Sequence, residues 1–405
     1  MPYLKSRIHL APLSSLKHCA IALALTCIAP MSIHAQNWVG TWATAPEYTG
    51  ENDMPRKTTL TGNALRQTIH TSLGGETIRL KLSNEFSDAP VEIKDIYISQ
   101  PTDSSAIDAS KATYLKFDGK RSVTIPPHGY VYSDPVDYHI TPLQLLSVTT
   151  NYGSQTPPHA TSHRGSRTTS FIMEGESKPK KPFKTSERLE HWYNIASLEV
   201  LRDDSPECIA VIGNSITDGR GSTTDHQNRW TDVCAESLGG NVGILNLGIG
   251  GNCVLSGGIS QPAVKRFDRD IMGQNGITAI VVYEGINDIG GSRNAEQTAQ
   301  NLIKAYESFI EQGHAKGLKV YGGTITQIGH TDYWSHIHEG VRQTVNEWIR
   351  TSGKFDGVID FDAIIADPQK PTQMNPAYQF DWLHPNAEGY KAMGQAAARV
   401  LGSDR

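Results

Sequence analysis

The chain has 405 residues, enough for two ordinary domains. Hydrophobic residues are 38% and charged residues 20%, which supports buried cores and excludes a wholly disordered chain. Lys+Arg 37 against Asp+Glu 42 leaves a formal net charge of −5, without the dense basic face that general nucleic-acid binding requires.

At the N-terminus Lys5, Arg7 and Lys17 precede an apolar run from Cys19 to Ala29, broken by Pro30. Ile33-His34-Ala35 then offers a small-residue cleavage site before Gln36. This layout predicts a secretory signal peptide over 1–35, too short for a membrane anchor, and hence an exported, periplasmic or extracellular protein. No run elsewhere reaches the ~18 apolar residues of a spanning helix, so no membrane insertion is expected. Of 5 cysteines, Cys19 and Cys27 fall in the signal and Cys208, Cys234 and Cys253 remain. An odd number leaves at least one thiol outside any intrachain disulfide, and no C-x-x-C redox or zinc spacing occurs.

From Gln36 to about Val200 the pattern has a period of two. Leu80 and Leu82 alternate with Arg79 and Lys81. Val91 and Ile93, then Ile96 and Ile98, repeat that period with a slip between them that suggests a bulge. Leu73-Gly74-Gly75-Glu76 predicts a hairpin turn, and Asp118-Gly119 another between Tyr114–Phe117 and Ser122–Ile125. Regular turns without helical patterns predict a β-sandwich over 36–200. Glu174 to Glu190, with Lys178-Pro179-Lys180-Lys181-Pro182, reads as a solvated loop. His191 to Val200 reads as one closing strand, and Arg202 to Glu207 as a polar connector.

Over 201–405 short apolar runs alternate with helical patterns. Cys208–Ile212, Val242–Leu247, Ala279–Tyr283, Val320–Ile325 and Gly357–Phe361 are the predicted strands. Leu302, Ile303, Tyr306, Phe309 and Ile310 share one helix face. Val341, Val345, Trp348 and Ile349 share a second, and Tyr390, Met393, Ala397 and Leu401 a third. Strands separated by helices predict right-handed β-α-β units and a parallel sheet, whose chemistry lies beyond the carboxyl ends of the strands.

Four strand ends carry chemistry. The first is Gly213-Asn214-Ser215-Ile216-Thr217-Asp218-Gly219, a serine on a glycine-flanked strand-to-helix turn. The second is Asn246 to Asn252, whose glycines let backbone N–H groups approach a substrate. The third, Glu284-Gly285-Ile286-Asn287-Asp288, places a side-chain amide at the same edge. Beyond the fifth strand, Asp381-Trp382-Leu383-His384-Pro385 sets an Asp three residues before a His, so the Asp can hold one ring nitrogen while the other faces a nucleophile.

These blocks, in this order, resemble the SGNH, or GDSL-type, hydrolase superfamily over residues 208–401. Gly251 aligns with the family's oxyanion glycine and Asn287 with its oxyanion asparagine. Trp38-Val39-Gly40-Thr41-Trp42-Ala43-Thr44-Ala45-Pro46 is similar to exported bacterial members with an N-terminal β-domain. The resemblance implies an α/β fold with a flavodoxin-like parallel sheet (the SGNH hydrolase fold) and an N-terminal β-sandwich. It implies Ser215, Asp381 and His384 as catalytic residues, with Ser215, Gly251 and Asn287 as the oxyanion hole. No metal or organic cofactor is required. One residue departs from the family: Asn214 stands where Asp is usual. It is expected to point away from the attacking hydroxyl and accept N–H bonds from the oxyanion loops.

The substrate reads as a small-molecule or glycan ester. Export, polar loops such as Thr223–Asn228 and Thr331–His336, and the accessory β-domain favour a carbohydrate O-acetylesterase. A lipase or aryl-esterase of the same family is the alternative. Two further readings are a metal-dependent phosphodiesterase using His330, His336 and His338, and a non-catalytic carbohydrate-binding protein using Trp38, Trp42 and Trp192.

Overall fold

A computed structural model describes residues 36–403. The predicted signal peptide lies outside the described residues. From Gln36 onward the chain forms one compact unit.

Apart from a small sheet in which Thr161–His163 pairs with Glu47–Tyr48 and Trp192–Tyr193, the first half is built of two antiparallel sheets. One contains β1 (Asn37–Ala43), β3 (Gly75–Ser83) and β7 (Ile195–Arg202), in the order β1-β7-β3. The other contains β2 (Ala64–His70), β4 (Val91–Ser99), β5 (Leu145–Tyr152) and β6 (Ser170–Met173), in the order β6-β2-β5-β4. Ile78, Leu80 and Leu82 from the first sheet join Leu65, Ile69, Ile96, Ile98, Leu146 and Val148 from the second in one hydrophobic core. Each such side chain contributes ~1.5–3 kcal/mol by leaving water. This is the expected sandwich. The slip in β4 is a bulge at Lys94: Asp95 faces Asn151, whereas Ile93 faces Tyr152.

Three local expectations are corrected. Leu73–Glu76 is not a hairpin turn, because β2 and β3 on either side of it belong to opposite sheets. The stretch 174–190 is not all loop: Thr185–Leu189 pairs with β6 as an edge strand of half-buried and exposed residues. The strand expected over 191–200 is broken at Asn194, whose φ of 59° is left-handed. That conformation is one asparagine tolerates. It is held by Tyr152, which donates to the Asn194 side chain, and by Asn194 donating to the Ser83 carbonyl.

The second half is a five-stranded parallel sheet. β8 (Cys208–Gly213), β9 (Gly243–Gly248), β10 (Ala279–Tyr283), β11 (Lys319–Gly323) and β12 (Gly357–Ile359) lie in the order β9-β8-β10-β11-β12. This is the flavodoxin-like order. The switch point is the carboxyl end of β8, between its neighbours β9 and β10. The helices include α1 (Ser215–Asp218), α2 (Trp230–Ser237), α3 (Ile286–Gly290), α4 (Ala295–Ala315), α5 (His336–Thr351) and α6 (Ala387–Leu401). They bury the predicted apolar faces; Ile303 and Trp348 remain partly exposed.

The two halves share one core and meet backbone to backbone. A side chain at Gly243 would come within 2.6 Å of the Gly40 carbonyl, and one at Gly40 within 2.8 Å of Leu245. The thiol of Cys208 donates to the Gly40 carbonyl, at 3.4 Å. Trp42 and Trp192 pack edge to face at 5.0 Å, both buried, while Arg79 covers Trp38. These tryptophans are packing residues of the β-half rather than a sugar-binding platform.

Candidate active site

Ser215 opens α1 directly after β8. Its Oγ lies 2.7 Å from Nε2 of His384. The other ring nitrogen, Nδ1, is 2.9 Å from both oxygens of Asp381. The left-handed turn at Trp382 (φ 67°) lets Asp381 also accept the N–H of His384, at 2.8 Å, so one carboxylate fixes both backbone and ring. Burial pushes the Asp381 carboxyl up, but the hydrogen bond and charge of His384 outweigh it and hold it down at about 2. His384 is itself buried, just before α6.

Gly251 follows β9 in a left-handed conformation (φ 69°), and a Cβ there would press on Ile259. No acceptor among the described residues takes up the N–H of Ser215 or of Gly251. Asn287, in α3, donates through Nδ2 to the Asn252 carbonyl and accepts the Tyr333 hydroxyl at Oδ1. Tyr333 therefore fixes which way the amide faces and leaves its second N–H available. Asp288 grips the same loop by accepting the N–H groups of Val254 and Leu255. Ser215, Gly251, Asn287, Tyr333 and His384 line one cavity of about 390 Å³. The five predicted site residues are thus brought together.

Asn214 differs from its expected role. Its side-chain oxygen accepts the Ile216 N–H, capping α1, and its Nδ2 donates to Glu284 Oε2 at 3.2 Å. It is a donor to a buried carboxyl rather than an acceptor from the oxyanion loops. Desolvation raises the Glu284 pKa to about 8, against the opposing charge of Arg266. Arg266 donates to the Gly213 and Leu247 carbonyls and to Asn252, tying the ends of β8 and β9 together beneath the nucleophile.

The β-half reaches the same cavity, which the sequence pattern did not foretell. Asp218 of α1 is fully buried and accepts His163 Nε2 at 2.9 Å and the Arg167 guanidinium. Burial raises its pKa, but Arg167 and His163 hold the carboxyl below its usual range. Glu47, also buried, accepts Arg164 and the Ser260 hydroxyl, and Ser260 follows directly on Ile259, which abuts Gly251. Asp218 and Glu284 stand inside the motif blocks; a charged residue there was the available signal.

The histidines of the metal reading do not converge. His338 bonds the Tyr333 and Ser292 carbonyls, His330 packs on Trp382 at 4.7 Å and His336 on Trp334 at 5.7 Å. Among the described residues no three His, Cys, Asp or Glu side chains form a group that could hold a metal ion.

A nucleophilic hydroxyl, a carboxylate-held imidazole and a nearby cluster of amide donors, all at the switch point of a parallel sheet, define an α/β serine hydrolase that acts on esters. The family model described as GDSL-like Lipase/Acylhydrolase matches residues 211–392. The second half of the chain belongs to this SGNH/GDSL hydrolase family. Solved structures are similar over about half the chain. A GDSL-like lipase from Bacteroides thetaiotaomicron shares 19% identity over 50% of this chain and 91% of its own, with a TM-score of 0.39. A member of the lipolytic G-D-S-L family from Veillonella parvula shares 25% over 48% and 98%, with a TM-score of 0.39. An acetylxylan esterase from Geobacillus stearothermophilus shares 17% over 48% and 93%, with a TM-score of 0.37. A search of curated proteins returns no match.

Proposed function

We propose that this protein is an exported esterase and that it removes O-acetyl groups from a carbohydrate through an acyl-enzyme. Ser215 attacks the ester carbonyl while His384 takes its proton. His384 then gives that proton to the leaving alcohol, and a water activated in the same way releases the acid. Asp381 orients the ring and stabilises its charged form. The N–H groups of Ser215 and Gly251 and the free N–H of Asn287 take up the oxyanion, each worth ~3–4 kcal/mol in the transition state.

The observation that carries the reading is the 2.7 Å contact of Ser215 with His384 inside a cavity that sets polar groups of Arg164, Arg167, Arg220, Asn287 and Tyr333 among apolar surface. Polar groups placed on an otherwise apolar wall can bond and orient a hydroxylated leaving group. The secretory layout of residues 1–35 supports access to polymeric glycans. The test is an ester panel, from 4-nitrophenyl acetate to long acyl chains and acetylated glycans, with Ser215→Ala as control. Acetyl esters should have the highest kcat/KM. A preference for long acyl or aryl esters would assign the protein to the lipase or aryl-esterase reading instead.

A further inference from the structure

We infer that Arg164 and Arg167, supplied by the β-half, form a subsite for a carboxylate carried by the ester substrate. This deepens the reading of Ser215 as nucleophile and rests on it.

The cavity at Ser215 is walled on one side by Arg164, Gly165 and Arg167, with Arg220 at its edge. Glu47 and Asp218 also line it, so the charges must be weighed. The two carboxylates have side chains only 1% and 0% exposed, whereas those of Arg164, Arg167 and Arg220 are 27%, 21% and 53% exposed. The acids are therefore pressed against protein and the guanidiniums stand in front of them. An entering group meets Arg164 and Arg167 before those two anions, while Arg220 is engaged by Asp381, 3.8 Å away and 37% exposed.

The guanidiniums also have donors to spare. Arg164 commits Nε and Nη2 to Glu47, and Nη2 also reaches Ser260. Its Nη1 comes no closer to a carboxylate than 3.9 Å, to Asp53. Arg167 commits Nη2 to Asp218, while its Nε is buried without a hydrogen-bond partner. A buried, unsatisfied donor on a permanently charged group costs free energy unless a ligand repays it. The buried acids behind hold both forks in place, so little side-chain entropy is lost when an anion binds. A carboxylate matches this geometry, since it accepts from a guanidinium at both oxygens.

The carboxylate lies either on the alcohol, as in an acidic sugar, or on the acyl group. Two matched pairs distinguish these. The first is acetylated polygalacturonate against the same polymer with its carboxyls methylated, read by acetate release. The second is the 4-nitrophenyl monoester of adipate against 4-nitrophenyl hexanoate, which has the same acyl length. In one pair the anionic member should show about a tenfold higher kcat/KM, carried mainly by KM. That advantage should shrink as salt rises from low concentration to about 0.5 M. Arg164→Gln and Arg167→Gln should each lower the anionic-to-neutral ratio about tenfold, and the Lys variants less, because they keep the charge without the fork. Arg167 also braces Asp218, so the salt titration on the unaltered protein tests the subsite without any substitution. Turnover of the neutral esters that depends on Ser215 but shows no anionic preference in either pair overturns the subsite and leaves the esterase reading standing. A preference that persists in both Gln variants also overturns it. Undiminished turnover in Ser215→Ala defeats the esterase reading itself.

Discussion

Asn214→Asp restores the residue usual in the family, and the structure sets what it should cost. The new carboxylate would stand about 3.2 Å from Glu284 Oε2, where Asn214 Nδ2 now donates. Two full charges at that distance would repel by ~5 kcal/mol at an effective dielectric constant of about 20. The pair avoids this by keeping one proton. Glu284 already has a pKa of about 8 through desolvation, so at pH 7 it is mostly neutral and can donate to the introduced carboxylate. The substitution should then change kcat/KM at pH 7 by less than about tenfold, ~1.4 kcal/mol. The difference appears in alkali. A carboxyl whose folded pKa is raised stabilises the fold fully below its unfolded pKa, near 4.5, and loses that contribution as pH climbs to the folded value. In wild type the decline stops near pH 8, where Glu284 ionises and Asn214 donates to a full charge. In the variant the shared proton is held past pH 8, so stability keeps falling by ~1.4 kcal/mol per pH unit. The stability gap should be ~2 kcal/mol wider at about pH 9.5 than at pH 7. Urea unfolding at both pH values, with background-corrected ester hydrolysis, measures both effects. The double variant Asn214→Asp with Glu284→Gln reverses the hydrogen bond and should close the gap. A hundredfold loss at pH 7 with the fold intact, or a gap that does not widen in alkali, would refute the shared-proton account.

Ser215→Ala should abolish ester hydrolysis and leave thermal unfolding unchanged; more than a few per cent of residual turnover would place the nucleophile elsewhere. Asp381→Asn should lower kcat by about 10³–10⁴-fold, because the ring loses the acceptor that fixes its tautomer. Wild type should lose no rate through Asp381 at any pH above about 3, since its carboxyl is held near 2 and its stabilising contribution fades only as pH falls from about 3.8 through that value. Gly165→Ala puts a methyl group into the Asp218 carboxylate and should cost ~1–3 kcal/mol, with a matching fall in Tm. An unchanged Tm would mean that the two halves can part there without penalty.

What the sequence made legible follows the range of the forces involved. The parallel strands were readable because each is buried on both faces and appears as an unbroken apolar run, as in Cys208–Gly213. The motif blocks were readable because the oxyanion and triad residues sit on turns whose geometry is local, such as the left-handed glycine at 251. Pairing in the β-half was not, since a turn signal at Leu73–Glu76 cannot say whether the next strand stays in the same sheet. Thr185–Leu189 escaped because four of its five residues are polar, so its alternation of half-buried and exposed positions leaves no apolar pattern in the sequence.

The largest omission, the part the β-half plays in the site, has the same origin but left a trace. Asp218 lies in the nucleophile block, and its side chain is fully buried. A carboxylate removed from water needs a cation beside it. The Gly213–Gly219 block contains no cation, so the partner had to come from elsewhere in the chain. It comes from His163 and Arg167, more than 50 positions earlier. Glu47 repeats the arrangement with Arg164 and Ser260 against the loop that carries Gly251. Both the nucleophile and one oxyanion donor are thus braced from the β-half by buried ionic contacts. Pulling the halves apart would expose or strand those charges at a cost of several kcal/mol. The β-half is therefore one wall of the active site, and a hydrolase half expressed alone would lack the support its own catalytic turn requires.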